Sequence, residues 1–354
     1  MTGRRAERLL NSLKARGLDG LIISSQANIS YLTKTPGQDA YLLLSQKGGV
    51  YFTDSRYIGQ IRRSLPLGIK LEKISSQFHK TIASACGNLR LKRVGFEERI
   101  MPYAEAMKIK ASLSRGSEFL PCHSLVEGLR KIKEPREIVF IRQAAQIASA
   151  AISSIAALIR PGIREIELAG ELERAIRYNG GTTSAFDIIV AFGSNSAFPH
   201  HTPSAKKLAN NEVALIDAGA EFAGYKSDLT RVFFTGKISV LARRVYQAVL
   251  AAQAAAIRNI RPSLTTGKID GCARAYLRRR GWGKYFAHSL GHGIGLEVHE
   301  EPRLRPKEET RLEPGMVITV EPAVYLPGKF GIRIEDMVLV TRKGCEVFSG
   351  SLHK

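Results

Sequence analysis

Apolar positions recur along this chain with two different periods, and the switches between them mark its elements. In RAERLLNSLKARGLDG, residues 5–20, leucines recur at helical spacing among charged residues. That spacing predicts an amphipathic helix ended by Gly17 and Gly20. LIIS (21–24), YLLLS (41–45) and GVYFTD (49–54) are short apolar runs and read as strands. A second helix is expected over 75–87 (SSQFHKTIASACG), a strand over RVGF (93–96) and a third helix over 104–113 (AEAMKIKASL). Helices and strands in alternation imply an α/β layer. The basic stretch GLRKIKEPR, 128–136, then separates two expected domains, 1–128 and 129–354. Pro135 suits the first turn of the following helix, where its missing N–H costs nothing.

The second domain repeats itself. A long Ala-rich helix over 137–160 ends at Arg160-Pro161-Gly162, and a helix over 165–178 ends at Asn179-Gly180-Gly181. A strand pair over 212–219 and 225–234 follows. A long Ala-rich helix over 240–260 then ends at Arg261-Pro262, a helix over 268–280 ends at Gly281, and strands are expected over 316–325 and 332–340. The order helix, Arg-Pro, helix, Gly, hairpin thus occurs twice, offset by roughly a hundred residues.

Composition narrows the setting. With 354 residues, 44% of them hydrophobic, the chain can bury a core without staples. The cysteines Cys86, Cys122, Cys272 and Cys345 form no C-x-x-C pair, which argues against a zinc knuckle and for a reducing compartment. MTGRRAERLL has no apolar leader, and the apolar run 144–159 is too short and too rich in Ala and Ser for a membrane span. A cytoplasmic protein without a membrane partner is the expectation. Fifty-three basic against 32 acidic residues give a net charge of +21. The basic residues are spread along the chain without aromatic-interleaved tracts, and the runs at 243–244 and 278–280 fall on helices. They read as solvated faces, and nucleic acid is not the expected partner.

The two hairpins carry the chemistry. Asp217 lies in VALIDAG and Asp228 in YKSDLTRVFF; Glu321 lies in VITVEPAVY and Glu335 in IRIEDMVLV. A carboxylate inside an apolar strand costs several kcal/mol to desolvate unless it is paired or binds a cation. If the two copies pack about a pseudo-two-fold axis, the four carboxylates converge, and two divalent ions neutralise them. His292, in HSLGHGIGLEVHEEP, adds a nitrogen ligand. One imidazole among carboxylates suits Mn(II), Co(II) or Fe(II) better than structural zinc. Two such ions can be bridged by carboxylates and hold a hydroxide between them.

These residues resemble the M24-type pita-bread metallopeptidases, the group of methionine aminopeptidase, aminopeptidase P and prolidase. The resemblance spans the chain: NISYLTKTPGQDAYLLL and YFTDSRYIGQ look like the creatinase-type amino-terminal domain, and VEGLRKIKEPREIVFIRQA like the junction helix of prolidases. It implies an α/β amino-terminal domain followed by an α+β pita-bread catalytic domain with an internal pseudo-two-fold repeat. The extra domain, Arg333 in IRIED and His288 in FAHSLGHGIG favour the Xaa-Pro branch: prolidase or aminopeptidase P, acting on short proline-containing peptides, as a homodimer. By resemblance Asp217 binds the second metal, Asp228 and Glu335 bridge both, and His292 and Glu321 bind the first. Mn(II) is the expected ion, with Co(II) as an alternative. Glu321 is the implied proton shuttle, and His200 and His299 the stabilisers of the carbonyl oxygen. His288, Tyr325 and Arg333 are expected in the proline pocket. His201 and Ala323 stand where relatives often have Gly, and His201 is expected to alter the pocket. His79, His123 and His353 read as surface residues. Methionine aminopeptidase and a non-catalytic pita-bread binding protein are the competing readings.

Overall fold

The structure is a computed structural model that describes residues 3–74, 76–350, 352 and 354. Ser75, at the head of the expected second helix, and His353 lie outside the described residues. The chain divides into two compact units, one running to Arg130 and one beginning at Lys131.

The first unit is a six-stranded mixed sheet in the order Ile69–Lys73, Gly48–Thr53, Ala40–Ser45, Gly20–Ile23, Arg93–Glu97, Glu118–Cys122. The central Gly20–Ile23 strand pairs antiparallel with Ala40–Ser45 and parallel with Arg93–Glu97. Gly20 therefore opens a strand; it is Gly17, at φ 65°, that turns the chain out of the Arg4–Ala15 helix. Leu9, Ile22, Leu43, Phe52 and Val94 are buried in the core. Pattern reading missed five elements: the helices Gln26–Thr33, Ile58–Ser64 and Glu127–Arg130 and the strands Ile69–Lys73 and Glu118–Cys122. The first helix is short and held by its cap, the Ser25 side chain accepting from Asn28 N. Ile69–Lys73 is a sheet edge with no fully buried residue, so no apolar run betrays it.

In the second unit, Glu134 and Glu137 form a capping box, and Pro135 opens the helix Pro135–Ser154. That helix stops short of residue 160 and passes into a single 3-10 turn, Ala156–Leu158. It is long and apolar enough to cross a membrane by length and composition, yet half of its apolar window is buried within the fold. The helix Glu165–Tyr178 ends where its Asn-Gly-Gly predicts; the second pair is Val240–Ile257 and Thr266–Arg279.

Each expected long hairpin is bent in the middle. The first consists of Val213–Ala218 with Leu229–Phe234, then Ala220–Phe222 with Tyr225–Lys226. The second consists of Val317–Val320 with Asp336–Val340, then Ala323–Leu326 with Phe330–Arg333. Register runs unbroken through the first bend, with Leu229 opposite Ala218 and Lys226 opposite Glu221. At that bend a Cβ on Gly219 would lie 1.8 Å from the Ser227 carbonyl oxygen, so only glycine fits. At the second bend Pro322 has no N–H to offer a ladder. The strands are buried on both faces: Val213 and Leu215 join Val245, Val249 and Ile269 in one core cluster, while Ala214 and Ile216 join Ile141, Ala148 and Leu172 in another.

Candidate metal centre

The bends are where the carboxylates sit. Asp217 is the penultimate residue of Val213–Ala218, opposite Thr230. Asp228 falls between Tyr225–Lys226 and Leu229–Phe234. Val320 pairs with Asp336, so Glu321 and Glu335 are opposite each other at the second bend. A residue released from a ladder escapes the strict alternation of faces, which lets acids from two hairpins meet. The hairpins join there: Thr230 Oγ1 donates to Glu335 Oε2 at 2.9 Å, and Glu335 N donates to the Thr230 carbonyl at 3.2 Å. Buried Arg231 locks the junction, donating to the Glu335 carbonyl at 2.6 Å and pairing with Asp336 at 2.8 Å. His292 comes from Gly291–Gly293, whose glycines face backbone; a Cβ would lie 2.1 Å from the Thr319 oxygen at Gly291 and 2.2 Å from the Glu301 oxygen at Gly293.

One ligand atom from each of Asp228, His292 and Glu335 lies within 4.8 Å of the others. His292 Nε2 is 3.7 Å from Asp228 Oδ2 and 3.5 Å from Glu321 Oε1. Nδ1 of the same ring donates to the Gly293 carbonyl at 3.1 Å, so Nε2 turns a lone pair toward those acceptors. Asp217 Oδ1 and Glu335 Oε1 are buried with no hydrogen-bond partner. Acceptors that face one another, with two orphaned carboxylate oxygens among them, fit divalent cations and little else.

The electrostatics agree. Burial, then the charges of Glu335, Asp217 and Glu321, push the Asp228 carboxyl well above its usual range. Burial and Glu335 do the same to Glu321. Burial and Asp217 raise Glu335 to about 8. His292 is lowered to about 3 by burial and by neighbouring His299, so it is a neutral ligand at neutral pH.

Arg333 is only 4% exposed. It donates to Asp217 Oδ2 at 2.6 Å, to the Tyr325 hydroxyl at 2.6 Å, to Thr230 Oγ1 at 3.0 Å and to the Pro199 carbonyl at 3.3 Å. The Tyr325 hydroxyl in turn reaches His288 Nε2 at 3.2 Å, and burial holds His288 down to about 4. The three residues expected in a proline pocket are thus one hydrogen-bonded chain ending on Asp217. Of its members, only His288 is appreciably exposed. His299 packs edge-on against His292 with centroids 4.4 Å apart and keeps an exposed side. Burial of the packed side, then Arg303 and His200, lower its pKa. His200 is exposed and close enough to bear on both His288 and His299.

His201 turns the other way, its Nε2 lying 2.8 Å from Glu165 Oε2. Of the histidines expected at the surface, His123 is exposed beside Glu98, whereas His79 is half-buried against Phe78. Sequence reading overlooked Thr230 and Arg303. Thr230, two residues after Asp228, was legible only with the cross-strand register in hand. Arg303 faces His292 across the ladder and is half-buried. Among the described residues no hydrogen bond or ion pair engages its guanidinium.

Comparison with known proteins accords with this geometry. The profile of Metallopeptidase family M24 matches residues 140–342, and that of the Creatinase/Prolidase N-terminal domain matches residues 5–132. The chain is 32% identical to the Xaa-Pro dipeptidase of Pyrococcus horikoshii over 96% of its own length and 95% of the relative's. It superposes on an Xaa-Pro dipeptidase from Bacillus anthracis with a TM-score of 0.95 at 38% identity, covering 99% of this chain and 98% of the other. An X-Pro aminopeptidase from Thermotoga maritima gives 0.90 at 34%, with 97% of each chain covered. Divalent metal binding comes with such a family, and the donors gathered at the bends suit it. With a creatinase-type domain ahead of a pita-bread unit built from two bent hairpins, this chain belongs to the metallopeptidase family M24.

Proposed function

We propose that this protein is a two-metal exopeptidase that cleaves the bond before proline, with Xaa-Pro dipeptides as its best substrates. The observation that carries the reading is the set Asp217, Asp228, His292 and Glu335, buried, with half-buried Glu321 beside them, in a chain that matches Xaa-Pro dipeptidases along nearly its whole length. Asp217 would hold one cation, His292 and Glu321 the other, and Asp228 and Glu335 both; Mn(II) fits this oxygen-rich set best, then Co(II). When bound, the ion pair supplies a water acidic enough to attack near neutral pH and polarises the scissile carbonyl.

The chain's own residues do the rest. Glu321 carries the proton from the attacking water to the leaving proline nitrogen. The imidazoles of His200 and His299 donate to the carbonyl oxygen as its charge develops. Asp217, held in place by Arg333, receives the free α-amine, which limits cleavage to one residue from the amino terminus. Arg303 favours dipeptides: its unpaired guanidinium, beside His292, is suited to a carboxylate directly after the ring. His288 and Tyr325 line the proline side, and Arg333 sits behind them. The domain boundary we propose, 128/129, falls in the short Glu127–Arg130 helix. The four free cysteines suit a cytoplasmic setting, and a homodimer is the proposed assembly.

The test is direct. Chelated protein reloaded with Mn(II) should hydrolyse Ala-Pro faster than Ala-Pro-Ala and leave Met-Ala-Ser intact. Preference for Ala-Pro-Ala would make it an aminopeptidase P; preference for Met-Ala-Ser would overturn the proline assignment. Full activity after exhaustive chelation would remove the metal role.

A further inference from the structure

Glu165, the first residue of the Glu165–Tyr178 helix, is fully buried and stands apart from the metal ligands. Its carboxylate collects donors from a single stretch of chain, residues 192–204. Oε1 accepts from Phe192 N at 2.7 Å and from Asn195 Nδ2 at 3.0 Å. Oε2 accepts from Ser204 N at 3.0 Å, Ser204 Oγ at 2.6 Å and His201 Nε2 at 2.8 Å. A carboxylate can only accept, so the His201 proton is on Nε2. Burial pushes the Glu165 pKa up, but Ser204, His201, Phe192 and Asn195 outweigh it and hold the carboxyl below its usual range.

The same stretch is pinned from its other side. Gly331 N donates to Ser196 Oγ at 2.8 Å, and a Cβ on Gly331 would lie 2.0 Å from the Ser196 carbonyl oxygen. Arg333 donates to the Pro199 carbonyl at 3.3 Å. His200 therefore sits between two tethered neighbours, Pro199 held by Arg333 and His201 held by Glu165, while its own ring is exposed. An exposed side chain on a loop wanders unless its backbone is fixed, and a donor to a developing oxyanion must not wander.

We propose that Glu165 is a positioning residue of the active site: through His201 and Ser204 it fixes the backbone that carries His200 to the substrate carbonyl. The inference rests on the reading of His200 given above. It also assigns His201 a place in the scaffold instead of the pocket. Substitution by Gln keeps the shape but turns an amide N–H₂ toward at least one group of donors.

The experiment is a double-mutant cycle on the Mn(II)-loaded protein, joining Glu165→Gln to His200→Ala, with amide hydrogen exchange as a readout independent of turnover. Glu165→Gln should lower kcat on Ala-Pro by about 30-fold with KM within about twofold, since an interaction made only in the transition state is lost. The Phe192 and Ser204 amides should exchange at least about 10-fold faster. On the His200→Ala background the same change should cost less than about twofold more. An undiminished second loss on that background overturns the proposal, as does wild-type kcat with loosened amides. Should Glu165→Gln fail to fold, Ser204→Ala removes only one side-chain donor and repeats the cycle, with about threefold expected. A His200→Ala enzyme as active as wild type refutes the reading of His200 itself. Impaired His200→Ala beside unimpaired Glu165→Gln refutes only the positioning role.

Discussion

Stripping the metal should make this protein less stable as pH rises from 6.5 to 8, the reverse of what most carboxylate-rich proteins do. Glu335 has an ordinary value of 4.5 and is raised to about 8 in the fold by burial and by Asp217. Between those values the folded apoprotein binds a proton that the unfolded chain has released, so stability falls as pH rises through that window. His292 works in the opposite sense. Its pKa is lowered from 6.5 to about 3, so the unfolded chain binds the extra proton and stability rises with pH, but only up to 6.5. His288, lowered to about 4, and His299, also lowered, likewise stop contributing above 6.5. From 6.5 to 8 the carboxylates therefore act unopposed. Glu335 alone covers about 1.5 pH units there, or about 2 kcal/mol at 1.36 kcal/mol per unit. Asp228 and Glu321 are raised in the same direction. For a unit of this size that is a Tm drop of about 4–8 °C. A bound cation replaces the missing protons, so the reloaded protein should lose far less over the same range. Calorimetric melts of chelated and Mn(II)-loaded protein at pH 6.5, 7.25 and 8.0 test this. Titration of metal at pH 7 in buffers of different ionisation enthalpy should also show proton release. An apoprotein Tm that is flat or rising across the window, or a metal-induced shift that does not grow with pH, would refute the reasoning.

Other expectations follow from single residues. Glu321→Gln and His299→Ala should keep the fold by circular dichroism while kcat on Ala-Pro falls about 100-fold or more; near-wild-type turnover in both would dismiss their roles. Arg303→Ala should raise KM for Ala-Pro by about 10-fold while barely altering KM for Ala-Pro-Ala, and equal effects on both peptides would deny it the carboxylate. Arg231→Met leaves Asp336 buried beneath the junction of the hairpins, although Lys354 also reaches that acid; denaturant unfolding should show a loss of about 3 kcal/mol, and a loss under about 1 kcal/mol would mean that Lys354 suffices.

What the sequence revealed, and what it hid, follows from which forces write a pattern into it. Asp217, Asp228, Glu321 and Glu335 were legible because an acid inside an apolar strand needs a reason, and two hairpins repeated the anomaly. The helix Glu165–Tyr178 was legible because its amphipathic period ends on Asn-Gly-Gly. The bends were not. Gly219 and Pro322 mark them, yet each expected strand read as continuous because register carries on through the first break. The partners of the ligands were hidden for a related reason. Arg333 reaches Asp217, Tyr325, Thr230 and Pro199 from four separate segments, and no periodicity in one segment announces a bond to another. His201 looked like a pocket residue beside His200, but its ring went to Glu165.

The two bent hairpins have a consequence for how this molecule is held as one piece. The first supplies Asp217 and Asp228, the second Glu321 and Glu335, and His292 comes from the segment between them. Divided at 235–239, the first piece keeps two of the five ligands and the second keeps three, so either fragment would be an incomplete chelator. Joined, the halves would be cross-linked by the cations they bind, much as a disulfide joins segments far apart in sequence. The peptide linkage at 235–239, between the copies, is then one of several ties between them. Cut there, the two pieces should stay associated through the shared core and the Thr230–Glu335 and Arg231–Asp336 contacts, and more tightly with metal bound.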